Sequence, residues 1–211
     1  MGSKIKEIFH YSKVVNLGII DDAIDLLINE DSLRKTWILL IALFGIAGIA
    51  IVISYNVIMQ SFIGQYLHSQ ESSIRQIAQS FGIGNNEYLL PFIIFGNNVK
   101  TAIITWISSI TIIIPILIVS FNGGLVGFVL PSANSNPPLV LFYLFVPHGV
   151  IEIPSVTLVA STFILLISKG PVKMYRYSIG ILIISVIMLA VAAFIESFIT
   201  RGIAGFVASI I

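Results

Sequence analysis

The chain has 211 residues, of which 57% are hydrophobic and 10% charged, with a formal net charge of +1 and a mean hydropathy of +1.02. Soluble domains carry about 25% charged residues, so this is the composition of an integral membrane protein, and the lack of a basic stripe or aromatic platform excludes nucleic-acid binding. Cysteine is absent, which excludes disulfides, thiolate metal sites and cysteine nucleophiles together.

Residues 1–36 form a polar N-terminal segment. Its start, Met1-Gly2-Ser3-Lys4-Ile5-Lys6, has Lys6 where a myristoylation signal needs Ser or Thr. No apolar h-region with a cleavage site precedes the first span, which is therefore expected to be retained. Ile20, Ile24 and Leu27 share one helical face, with Asp21, Asp22 and Asp25 displaced from it. This predicts a short amphipathic helix at the membrane surface, and its acidic face argues against tight docking on anionic lipid. Trp37 to Met59 is apolar, uncharged and long enough to cross ~30 Å of hydrocarbon. Over 67–84, the stripe Ile74, Ile77, Ala78 and Phe81, a Ser73/Gln76 capping box and a stop at Gly82 predict a surface helix.

From Tyr88 to Ser168 the chain is apolar but interrupted at Gly96-Asn97-Asn98, Asn122-Gly123-Gly124, Pro131 to Pro138, and Pro147-His148-Gly149. Such interruptions are tolerated at membrane depth where protein satisfies the freed backbone groups. The pattern predicts a full span over Thr101 to Phe121 and half-helices over Gly123 to Leu130 and Leu139 to Val146, around a Ser132 to Asn136 turn. Full spans follow over Pro147 to Ser168 and Tyr177 to Phe198, then an apolar tail over 201–211. Lys4, Lys6, Lys13, Arg34 and Lys35 precede the first span, Arg75 alone lies in the 60–87 loop, and Lys169, Lys173 and Arg176 lie in the 169–176 loop. If both basic segments face the cytoplasm, an even number of crossings separates them, the half-helices together supply one crossing, and the total is about five. A re-entrant hairpin at 123–146 would instead put the 169–176 loop outside.

Charge is expensive in lipid, so the intramembrane polar residues are the candidate site. His148 and Glu152 are four apart and share a helical face, with Pro147 at the first turn. Pro154 cannot donate to the Val150 carbonyl, which leaves an acceptor beside Glu152. A proton, a cation, a water or simple interhelical hydrogen bonding each fits that arrangement. Asn122 is placed to cap the half-helix that follows it, and Gly123 with Gly127 is a small-xxx-small pattern for close helix approach. Asn97 and Asn98 offer amides to neighbouring helices, and Lys100 is placed to snorkel. Glu196 either pairs with Arg201 at the interface or faces inward as a partner of His148. Neither His10 nor His68 has metal-ligand spacing, and there is no phosphate-binding loop, His-Glu-x-x-His or Gly-x-Ser-x-Gly element.

Phe95-Gly96-Asn97-Asn98, then Asn122-Gly123 with Gly127, then Pro147-His148-Gly149 with Glu152, then Ala193-Phe194-Ile195-Glu196-Ser197-Phe198-Ile199-Thr200, taken in order, resemble the stage II sporulation protein M family over roughly residues 37–200. The family motifs map onto Asn98, Asn122, His148, Glu152 and Glu196. The resemblance implies a multi-span transmembrane domain over 37–200. In spore-forming bacteria it implies a scaffold that holds two peptidoglycan-degrading proteins during engulfment, although the family extends to organisms that make no spores.

The expectation is an all-α polytopic membrane protein of about five transmembrane segments, with broken helices meeting around a polar centre. That centre comprises Asn97, Asn98, Asn122, Gly123, Gly127, His148, Gly149, Glu152 and Glu196. The first functional reading is a non-enzymatic scaffold organising membrane or envelope proteins, in the cell membrane, with a cytoplasmic N-terminus. The second is a transporter or ion-coupled carrier using the intramembrane His/Glu/Asn residues, with a divalent cation or proton at His148 and Glu152. The third is an intramembrane metal-dependent hydrolase with His148, Glu152 and Glu196 as ligands. Gly45, Ala47 and Gly48 suit packing within one chain or between copies in a homo-oligomer.

Overall fold

The computed structural model describes residues 18–61, 65, 89–132 and 146–200, and the regular elements among them are all helical. Helix α1 covers 18–29, α2 Asp31–Met59, α3 Leu90–Ser108 and α4 Ile113–Ser132. Helix α5 covers Val146–Ser161, α6 Ile164–Lys169 and α7 Pro171–Phe194, the last passing into a π turn over Ile195–Thr200. The predicted surface helix over 67–84, the half-helix over 139–146 except its last residue, and the tail over 201–211 lie outside the described residues.

Among the described residues three stretches are long and apolar enough to cross a membrane: Asp31–Ile58, Gly149–Lys169 and Met174–Ile199. The first begins where Glu30 leaves helical geometry at φ −92, ψ 92. Asp31 in its first turn faces the positive end of the helix dipole and pairs with Arg34 and Lys35 on the following turn. The third begins at Gly170, which adopts φ 75, a conformation that glycine accepts without a Cβ clash. Pro171 then opens α7, where a missing N–H costs nothing.

Contacts fix the direction of each helix. Glu30 Oε2 lies 3.1 Å from Lys169 Nζ, so α2 and α7 start at the same end of the bundle. Phe44 meets Gly123 and Gly48 meets Gly127, so α4 runs parallel to α2. Ser109 contacts Thr162 and Asn98 contacts Glu152, so α3 runs parallel to α5. Among the described residues, then, five helical passes alternate in direction: α2, α3, α4, α5 with α6, and α7.

The interruptions fall elsewhere than the sequence suggests. The expected span over Thr101 to Phe121 is divided at Ser109–Ile112, where a 3-10 turn ends in Ile112 at φ 60. The expected half-helix over Gly123 to Leu130 lies inside the continuous helix α4. The break forms because the Thr111 hydroxyl accepts the Ile114 N–H at 3.4 Å and Pro115 sits in the first turn of α4, where its lack of a donor is harmless. Asn122-Gly123-Gly124 does not break α4 because these glycines are the contact surface for α2. A Cβ on Gly123 or Gly127 would run into the carbonyl of Phe44 or Gly48 respectively, so the two backbones touch directly.

The core lies toward the Lys169 end. Ala23, Leu26 and Leu33 pack with Leu158, Leu165, Met174 and Ile181, and Leu40, Val119, Ala160 and Phe163 form a second cluster. Helix α1 therefore buries Ala23 and Leu26, whereas Ile24 on the predicted apolar face is exposed.

Candidate polar site within the helix bundle

Helix α5 starts at Val146, so Pro147 falls in its first turn and His148 and Glu152 occupy one face, one turn apart. The His148 side chain lies outside the described residues; Glu152 is half-buried. The half-buried Asn98, in the middle of α3, donates its side-chain amide to the Glu152 carboxylate. Glu196 is half-buried in the π turn at the end of α7, within Coulombic reach of Glu152. The wider π turn re-aims the side chains that follow α7, a device common at functional sites. Ser197 secures it by donating to the Ala193 carbonyl at 2.7 Å. Three helices thus contribute one polar residue each: Asn98, Glu152 and Glu196.

The other sequence candidates separate from these. Asn97 is exposed. Asn122 donates to the Ile118 carbonyl of its own helix at 2.8 Å and caps nothing, since α4 is unbroken at that point. Gly123 and Gly127 face α2, and Gly149 is buried in α5. Lys100 is exposed in the interior of α3. Among the described residues no three His, Asp or Glu side chains gather in a metal-holding group.

Cross-helix hydrogen bonds supply a second polar layer that the sequence did not reveal. Trp106 Nε1 donates to Ser178 Oγ at 2.7 Å, and Tyr175 donates to the Ile107 carbonyl at 2.6 Å, joining α3 to α7. Trp37 Nε1 donates to the Pro154 carbonyl at 3.0 Å, joining α2 to α5. Ser109 and Thr162 hydroxyls are 3.1 Å apart. Ser and Thr also bond the backbone of their own helix, as Thr105 and Ser109 do here, so their positions in sequence carry no signal of this layer. At the bundle end, the Ser32 hydroxyl and then the Lys169 ammonium hold the Glu30 carboxyl below the usual glutamate range. Lys169 also lies over the Tyr177 ring, 5.9 Å from its centre.

Chemically, this arrangement offers a hydrogen-bonded carboxylate, a second carboxylate near it, and a frame of short hydroxyl and indole bonds. A family model described as stage II sporulation protein M matches residues 37–201. No curated protein and no solved structure matches the chain. The family match begins at Trp37, contains Asn98, Glu152 and Glu196, and covers most of the sequence, so the chain belongs to the stage II sporulation protein M family.

Proposed function

We propose that the chain is a non-enzymatic membrane scaffold of the stage II sporulation protein M type, which organises membrane or envelope proteins. In this reading its five passes all cross the cell membrane, its N-terminus is cytoplasmic, and Asn98, Glu152, Glu196 and His148 form a polar centre that fixes helix packing. The observation that carries it is the closure of polar side chains on neighbouring helices: Asn98 on Glu152, Trp106 on Ser178 and Trp37 on Pro154. Interhelical bonds of this kind hold bundles together at about 0.6–2 kcal/mol each. A framework of this sort presents its outer apolar faces, including Ile38, Ile49 and Ile53 of α2, to lipid and membrane partners.

One observation favours a second reading, an ion-coupled carrier. Glu152 and Glu196 repel one another inside the bundle, and two carboxylates in a low-dielectric site call for a neutralising proton or cation. Reconstitution separates the readings. The scaffold predicts that Glu152→Gln and Glu196→Gln keep native-membrane cross-links to partner proteins and that vesicles containing the chain show no proton or cation flux. Flux that the wild-type chain supports and either substitution abolishes, with thermal stability retained, would establish the carrier and sink the scaffold.

A further inference from the structure

Helix α1 divides into three sectors at about 100° per residue. Ile19, Ala23 and Leu26 form the first and meet the bundle: the Ile19 carbonyl and the Ala23 methyl lie against Gly180, so closely that no Cβ fits there, and Ala23 and Leu26 are buried. Asp21, Asp22, Asp25 and Asn29 form the second, all exposed, with Asn29 donating to Asp25 at 2.6 Å. Ile20, Ile24 and Ile28 form the third, an i, i+4, i+8 row between the other two. Ile24 is 44% and Ile28 60% exposed.

The height at which α1 docks identifies what covers that third row. Gly180 lies inside the Met174–Ile199 span, not in the turn that precedes it. Helix α1 also runs through Glu30 directly into the Asp31–Ile58 span, whose first exposed apolar side chains, beyond the exposed Asp31 and Lys35, are Ile38 and Leu39 at 63% and 67%. It thus packs on α7 about two turns inside that span, and its isoleucine row continues the apolar surface that the two spans present outward.

We propose that α1 is an interfacial membrane helix that contacts lipid through Ile20, Ile24 and Ile28 and turns its aspartates to the water, so that it settles into neutral headgroups and resists anionic ones. Apolar insertion drives binding of such helices, and charge on the polar face tunes it with lipid composition. Three aspartates on that face repel an anionic surface, and salt screens the repulsion over about 8–10 Å.

The chain contains no cysteine, so Ile24→Cys, Ile28→Cys and Asp22→Cys each create a single site for an environment-sensitive fluorophore on the full-length protein. In phosphatidylcholine vesicles, labels at 24 and 28 are expected to emit blue-shifted relative to the label at 22 and to be quenched by lipid-borne quenchers. In vesicles of half phosphatidylglycerol the shift at 24 and 28 is expected to shrink at low salt and return at high salt. Emission at 24 and 28 as water-like as at 22 overturns lipid contact. A shift that instead grows with protein density in the vesicle overturns it in favour of a second copy of the chain. An equal shift in both lipids overturns the preference for neutral headgroups. If labelling at 24 disturbs folding, judged by circular dichroism, position 28 decides alone.

Discussion

Nine buried polar side chains among the described residues are all Ser or Thr, and eight hydroxyls are bonded, mostly to a carbonyl three or four residues back in the same helix. Ser185 Oγ has no partner. An unsatisfied buried hydroxyl costs about 1–3 kcal/mol, whereas a bonded one gives about 0.5–1.5. Ser185→Ala is therefore expected to leave stability unchanged or to raise it by about 1 kcal/mol. Ser178→Ala removes the acceptor of Trp106 Nε1 and is expected to cost about 1–3 kcal/mol. Thermal unfolding in detergent, followed by tryptophan emission, checks both, and equal effects of the two substitutions would contradict the argument. The same contrast explains what could be read at this scale. Asn98, Glu152 and Glu196 stand out in sequence because an amide or a carboxylate in an apolar run must find a partner on another helix. Serine and threonine can bond their own backbone, so nothing in the sequence distinguishes Ser178, which bridges helices, from Ser168, which does not.

The contact between α2 and α4 depends on glycines that the sequence shows but whose role it does not. The Gly123 to Gly127 spacing indicates close approach, and the Asn-Gly-Gly run also resembles a helix stop, as it would be in a soluble protein. Within a membrane span glycine is frequent, and here the helix continues because Gly123 and Gly127 lie on the carbonyls of Phe44 and Gly48. The true break, at Ile112, was marked by Pro115 and the Ser108-Ser109 and Thr111 hydroxyls, which an uninterrupted apolar run from Thr101 to Phe121 obscured. Gly48 is used within the chain, whereas nothing lies within 4 Å of a Cβ built on Gly45. Gly127→Ala forces backbone movement, and overpacking of this kind costs about 1–3 kcal/mol or more. Gly45→Ala is expected to change stability by no more than about 0.5 kcal/mol, or to raise it through helix propensity. Paired melting curves of the two variants test this, and an equal loss would mean that α2 and α4 do not meet through these glycines.

At the scale of the molecule, the distribution of Lys and Arg and the packing of the helices bear on the same question independently. The charge pattern predicts that the segment before Trp37 and the 169–176 loop share one side of the membrane. The Glu30–Lys169 ion pair joins those two segments physically. Among the described residues four helical passes, α2, α3, α4 and α5 with α6, separate Glu30 from Lys169, and the charge rule is met if each of them crosses. Lys35→Cys at the start of α2, Val172→Cys at the start of α7 and Gln60→Cys just past the end of α2 mark exposed positions on the two ends. With a membrane-impermeant maleimide added to intact cells, Gln60→Cys is expected to react, and Lys35→Cys and Val172→Cys only after lysis. The first comparison is between 35 and 172: reaction from opposite sides would break the even count and with it the reading of α3 and α4 as crossings. The second is between that pair and 60. Reaction of 35 and 172 in intact cells, with 60 protected, would preserve the five passes but invert them, leaving the bundle geometry intact and the cytoplasmic N-terminus wrong.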